Sequence, residues 1–252
     1  MSPHPLLSKI DSIKAEIDRY RPFDDHIQQQ LREYFRIGLT YTSNALEGNS
    51  LTETETKMII EEGITIGGKS LKEHLEVVGH SDAFTLILNL ATRTTTITEK
   101  DILELHKLFY FRIDAQNAGT YRQQPVYISG TDTILPPPSK VPQLMKELAT
   151  TIPQLHKDHH PVEYAALLHL NLVQIHPFID GNGRTARLLM NLALLQTGYF
   201  IAIISPVIRR EYHASIRACT TKDLSPFTTF IAQMVYESGK DYQRMIKHLL
   251  TY

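Results

Sequence analysis

The chain has 252 residues, 42% of them hydrophobic and 21% charged, a globular composition that excludes disorder and can bury a core without disulfide or metal staples. Its 26 Lys and Arg against 27 Asp and Glu leave a net charge of -1, which excludes a strongly basic, sequence-blind grip on nucleic acid. One cysteine, Cys219, excludes an intramolecular disulfide and a cysteine zinc cluster; it suits a reducing compartment and reads as a small buried hydrophobe. With no secretory h-region at the start and no run of about 18 apolar residues, a soluble cytoplasmic protein with no membrane partner is expected.

Helical spacing begins at Leu7, Ile10, Ile13 and Ile17 and resumes after Pro22 with Ile27, Leu31, Tyr34 and Phe35. Ser43-Asn44-Ala45-Leu46-Glu47-Gly48-Asn49 closes that stretch with a carboxylate and a glycine stop signal; on its own it reads as a solvated helix end. Thr52-Glu53-Thr54-Glu55 is a capping box opening a short helix that Gly63 ends. Ser70-Leu71-Lys72-Glu73 opens another, running through Val77, Val78, Phe84, Ile87 and Leu88. Thr98 caps a third with Ile102, Leu105 and Leu108, ending near Tyr110.

The text from 119 to 138, GTYRQQPVYISGTDTILPPP, interrupts this pattern. Val126, Tyr127 and Ile128 favour a strand, Ser129, Gly130, Thr131 and Asp132 a turn, and Thr133, Ile134 and Leu135 a second strand. A hairpin alone is marginal, so it is either a surface excursion or a flap over a site. After Pro161, VEYAALLHLNLVQI is apolar on most faces and reads as a central helix ended by His176-Pro177. RTARLLMNLALLQTG is a second buried helix ending at Gly198, and two more follow around 210–218 and 226–238. The pattern predicts an all-α fold with a small β-hairpin flap, one domain whose middle is a helix–loop–helix.

That loop carries the chemistry. Gly181-Asn182-Gly183 permits positive φ, so successive N–H groups can converge on an anion, and the next helix adds its N-terminal dipole. Arg184 and Arg187, three apart, turn both guanidinium forks toward the same point, which suits a polyphosphate. Asp180 beside phosphates is costly unless a divalent cation lies between them, which argues for Mg²⁺. His176, ending a buried helix, is a base candidate for a hydroxyl approaching phosphorus. Pro177 sharpens the helix end and Phe178 anchors the loop. The bland alternative is a glycine connector with a satisfied core histidine. A His, an Asp, two Gly and two Arg within twelve positions favour the functional reading.

Residues 176–187, HPFIDGNGRTAR, resemble the signature of Fic-domain proteins, HPFx(D/E)GNGRxxR, without departure. Gly119-Thr120-Tyr121-Arg122 with the hairpin and prolines, and the segment 188–230, also resemble family members, so the likeness covers residues 98–235. The resemblance implies a mainly helical Fic fold, with a core over 98–252 and an N-terminal helical region over 1–97 packed on it. It implies an adenylyltransferase moving AMP from ATP to a Ser, Thr or Tyr hydroxyl of a target protein, itself included. His176 would deprotonate the hydroxyl that attacks the α-phosphate, and Asp180 would hold Mg²⁺ bridging the α- and β-phosphates. Asn182 and the backbone of Gly181 and Gly183 would seat those phosphates at the helix start, where Thr185 and Ala186 also lie. Arg184 would face the leaving pyrophosphate and Arg187 the γ-phosphate. Tyr127, Ile128, Ser129 and Gly130 would align the target as an added strand. Tyr212 matches an adenine-pocket tyrosine, although an exposed helix tyrosine fits almost equally, and Thr220 is a further candidate for that pocket.

Ser43 through Gly48 resembles the family's (S/T)xxxE(G/N) inhibitory motif. A Glu47 that reached Arg187 would put a carboxylate where the γ-phosphate belongs and leave the α-phosphate misoriented for attack. Autoinhibition is therefore expected. In some relatives the same glutamate positions a water for removal of AMP, so the direction of reaction stays open. A nucleotide-sensing module without transfer is a competing reading, disfavoured by a base and a metal carboxylate that binding alone does not need. Transfer of UMP or phosphate is a variant on the same fold. A metal hydrolase using His169 and His176, with His156, His159 and His160 nearby, lacks a convergent three-ligand set. No nucleic-acid partner is expected, because the chain ends at Tyr252 without the C-terminal DNA-binding helices some relatives carry; a homodimer is allowed.

Overall fold

The computed structural model describes residues 5–128 and 134–251. Among these, ten α-helices follow in order: α1 (Pro5–Asp18), α2 (Asp25–Leu46), α3 (Glu53–Glu62), α4 (Leu71–Ala91), α5 (Glu99–Tyr110), α6 (Val141–Asp158), α7 (Pro161–Ile175), α8 (Asn182–Gln196), α9 (Arg209–Ala218) and α10 (Ser225–Leu249). The starts of α3, α4 and α5 are capping boxes. Thr52, Ser70 and Thr98 accept from the backbone three residues on, while Glu55, Glu73 and Asp101 reach back to the cap N–H. Gly63 then closes α3 in the left-handed conformation its stop signal required.

The centre is the pair α7 and α8. Helix α8 packs against α7, α4 and α5, and α10 lies across α7 and α1. Leu188, Leu189, Met190, Leu192, Ala193 and Leu194 are all fully buried, so α8 is covered on every side. Burying each of its larger side chains contributes about 1.5–3 kcal/mol, which makes α8 a rigid platform for whatever its first turn carries. Helices α4 and α5 approach so closely that a Cβ at Gly79 would run into the Phe109 carbonyl. A small satellite cluster of Leu51, Ile59 and Val77 seats α3.

Four features differ from the sequence reading. Helix α6 has no counterpart in the sequence reading; Pro142 sits in its first turn, where no N–H is needed, and Val141, Met145, Leu148 and Ile152 bury one face. Helix α10 continues past Ser238 to Leu249, since Gly239 lets the helix lie directly on the Phe200 ring. Among the described residues there is no strand. Val126, Tyr127 and Ile128 are irregular backbone, and Tyr127 and Ile134 are 77% and 95% exposed. A two-stranded ribbon with no sheet behind it gains too little to hold a ladder. The hairpin's turn, with Ser129 and Gly130, lies outside the described residues. Cys219 is half-buried rather than buried, its Sγ directed at the carbonyls of Ser215 and Leu224. No helix of the described residues is long and apolar enough to cross a membrane.

Candidate active site

The loop between α7 and α8 is held from both sides before any ligand is considered. Asn182 uses its amide as a staple: Oδ1 accepts from Phe178 N and Nδ2 donates to Phe178 O, both at 2.9 Å. Gly181, at φ 77°, caps α8, and the Thr185 hydroxyl donates back to the Gly181 carbonyl at 3.0 Å. Beneath, the His106 ring of α5 lies flat on Phe178, 3.7 Å between centroids. Gly119 N–H donates to His106 Nδ1 at 2.9 Å, so the proton sits on Nε2, which donates to the Asp180 carbonyl at 3.1 Å. Burial pushes His106 down to about 4, so it stays neutral in this role. Phe178 and Ala186 are fully buried.

His176 is the sole non-glycine residue at positive φ among the described residues, at φ 52° and ψ 59°. That conformation costs on the order of 1–2 kcal/mol for an L-residue and must be over-determined by its surroundings. Its Nδ1 lies 3.3 Å from the Val173 carbonyl, which can only accept, so Nδ1 carries the proton and Nε2 a free lone pair. Burial, assisted by the charge of Arg122, keeps the imidazole below its ordinary value and therefore neutral, as a base must be.

The two arginines of α8 are buried and each meets a carboxylate. Arg187 donates from Nε to Ser43 Oγ at 2.9 Å, from Nη2 to Ser43 O at 2.8 Å and to Glu47 Oε1 at 2.7 Å, and from Nη1 to Tyr212 Oη at 3.3 Å. Glu47 caps the C-terminus of α2, followed by Gly48 at φ 97°. Burial alone would raise the Glu47 carboxyl, but Arg187 and Arg184 outweigh it and hold it below the ordinary carboxylate value. A Cβ on Gly183 would strike Glu47 Oε1, so the glutamate lies directly on the first turn of α8. Arg184 donates from Nη1 to Glu76 Oε1 at 2.9 Å, approaches Asp180 Oδ1 at 3.4 Å and stacks on Phe109 at 4.5 Å. Its buried Nε has no partner.

Asp180 leaves 44% of its side chain exposed; Oδ1 accepts from Gly181 N at 2.6 Å and Oδ2 lies 3.8 Å from Lys72 Nζ. Among the described residues no three His, Cys, Asp or Glu side chains converge to form a metal cage. A single accessible carboxylate fits Mg²⁺, which is typically held by one or two carboxylates with phosphates and water.

The outer candidates divide. Tyr212 is 2% exposed: its hydroxyl bridges Arg187 and His169 Nε2, at 2.9 Å from the latter, and burial raises it above its ordinary value. It braces Arg187 instead of standing open as a helix-surface tyrosine. Thr220 bonds with Lys222 and Asp223 in the turn between α9 and α10 and makes no hydrogen bond to the loop among the described residues. Tyr127 and Ile128 lie on the irregular segment. Three contributors are not legible in the sequence: His106, Glu76 and Arg122, whose Nε donates to the His176 carbonyl at 2.7 Å. Only Arg122 carried a signal, its place directly before the hairpin.

Fold and site together define a helical protein that carries two buried arginines on the first two turns of a central helix, just after a loop that a neutral histidine opens. The Fic/DOC family model matches residues 96–194. Fic-1 (residues 134–508) from C. elegans superposes with a TM-score of 0.87 at 31% identity, covering 96% of this chain and 72% of that one. A Fic-domain signaling protein from Bacteroides thetaiotaomicron gives a TM-score of 0.86 at 27% identity, over 96% of this chain and 98% of that one. Protein adenylyltransferase Fic of Drosophila yakuba is 40% identical over 228 residues, 90% of this chain and 45% of that protein. The chain thus spans about half the length of the curated relatives it matches. This chain belongs to the Fic/DOC family.

Proposed function

We propose that the chain is a protein adenylyltransferase that moves AMP from ATP to a Ser, Thr or Tyr hydroxyl of a target protein and is held inactive by Glu47. The carrying observation is the unpartnered Nε of buried Arg184 beside an α8 first turn whose anion position is filled by the chain's own glutamate. A buried guanidinium N–H without an acceptor is satisfied by an anionic ligand oxygen. The adenylyltransferase names of the curated relatives support the same reading.

In this reading the α8 N–H groups and Arg184 bind the polyphosphate, and Arg187 takes the γ-phosphate once Glu47 has left it. His176 Nε2 receives the proton of the target hydroxyl as its oxygen attacks the α-phosphorus, and pyrophosphate leaves toward Arg184. Mg²⁺ held by Asp180 would neutralise charge on the phosphates. The Glu47 side chain keeps 31% of its surface in solvent while bonded to Arg187. A carboxylate so placed can also orient a water, which favours AMP removal as a second reading.

Intact-protein mass spectrometry after incubation with Mg²⁺ and ATP tests the proposal. One added AMP in Glu47→Gly, absent from wild type and from Glu47→Gly with His176→Ala, is expected. Equal AMP gain in wild type refutes the brake. No gain in any form, with loss of AMP from a modified protein, transfers the assignment to AMP removal.

A further inference from the structure

Arg122 is 3% exposed, and among the described residues it pairs with no carboxylate. Among the described residues its guanidinium donates to backbone carbonyls from three separate places. Nε donates to His176 O at 2.7 Å, Nη2 to Pro136 O at 2.6 Å and Nη1 to Gln124 O at 3.4 Å, while its own N–H donates to Pro177 O at 2.9 Å. Two bonds therefore fall on the strained residue and its successor. The other two fall on either end of the segment expected to face the target. A cation enclosed by carbonyl oxygens at these distances is a rigid joint, because the planar fork fixes all its acceptors in one plane.

We propose that Arg122 is a positioning residue that locks His176 in its left-handed conformation and sets the base against the ends of the target-facing segment at Gln124 and Pro136. This deepens the adenylyltransferase reading and rests on it for its catalytic consequence. Without the fork, nothing else among the described contacts holds the His176 carbonyl, and the backbone relaxes toward ordinary φ. Nε2 then swings from the line of attack while the α8 phosphate site is untouched. Misplacement of about 1 Å costs on the order of 10²-fold in rate.

The test uses the full chain with Glu47→Gly as parent, adding Arg122→Met or Arg122→Lys, with Mg²⁺ and ATP. AMP incorporation in the Met form is expected to fall on the order of 10²-fold with KM for ATP within about twofold. The Lys form, which keeps the charge and part of the bonding, is expected to recover part of the rate. Independently of turnover, the His176 imidazole is followed by NMR titration, assigned with His176→Ala. Arg122→Met is expected to shift its titration upward, since burial and the Arg122 charge both depress it. Full rate in the Met form overturns the proposal, as does an unmoved His176 titration or a rate loss matched by an equal rise in KM. A parent that transfers no AMP would refute the proposed function alone, leaving the titration to decide the positioning role.

Discussion

Replacing Glu47 by glycine tests the site through stability before any turnover is measured. The substitution removes the 2.7 Å bond from Arg187 Nη2. Three acceptors stay behind: Ser43 Oγ, Ser43 O and Tyr212 Oη. Breaking a fully buried ion pair costs about 3–5 kcal/mol because a bare charge remains. Here the charge keeps three partners and water enters where Glu47 was already 31% exposed, so the loss is nearer that of one charge-assisted bond, about 1.5–3 kcal/mol. For a domain of this size that lowers Tm by roughly 3–12 °C. Mg²⁺ and ATP should then reverse the order of response. At about 100 times Kd a ligand adds about 2.7 kcal/mol, and the glycine form realises it fully, whereas in wild type the γ-phosphate must first displace a carboxylate. Differential scanning fluorimetry in a His176→Ala background, where no transfer intervenes, measures both quantities. An equal ATP-induced shift in the two proteins would refute the view that Glu47 and the γ-phosphate compete for Arg187.

Two further outcomes follow from the same network. Glu47 has a depressed folded value, so its contribution is fully present above the ordinary 4.5 and disappears as pH falls through the lowered folded value. Urea denaturation at stepped pH should therefore show wild type and Glu47→Gln diverging above pH about 5 and converging in more acid solution. Tyr212→Phe leaves Arg187 Nη1 and His169 Nε2 without their shared hydroxyl and is expected to cost about 1–3 kcal/mol by the same denaturation.

How far the residues could be read depended on whether their partners were local. Capping boxes at Thr52, Ser70 and Thr98 need only three neighbours, and all three form. The α7–loop–α8 unit is a contiguous text, so His176, Asp180 and both arginines fall where the loop places them. Glu47 meets Arg187 across 140 positions; only a resemblance made that legible, since no local pattern encodes it. His106 and Glu76 had no such help. A histidine on an amphipathic helix and a glutamate on α4 look like ordinary face residues until α5 and α4 are packed on α8. Among the described residues the expected strands at 126–128 and 134–135 do not form, for the opposite reason. The residues are β-favouring by type, but strand formation needs a sheet neighbour, and the flanking carbonyls of Gln124 and Pro136 accept from Arg122.

Glu76 on Arg184 and Glu47 on Arg187 are not equivalent, and the difference bears on why the proposed brake is assigned to Glu47. Glu76 lies within α4 with 9% of its side chain exposed, one oxygen on Arg184 and the other accepting from Asn49 Nδ2 at 2.9 Å. Withdrawing it would strip partners from Arg184 and Asn49 and pull on a helix anchored by Val77, Phe84 and Ile87. Glu47 stands after the last helical residue of α2, with Gly48 behind it at φ 97°, so its side chain can leave Arg187 while buried Leu46 keeps the helix seated. Removing Glu76 therefore disorders Arg184, whereas removing Glu47 frees Arg187. A displaceable inhibitor has to sit at a helix end, where one rotation about side-chain bonds clears the anion position and the core does not move.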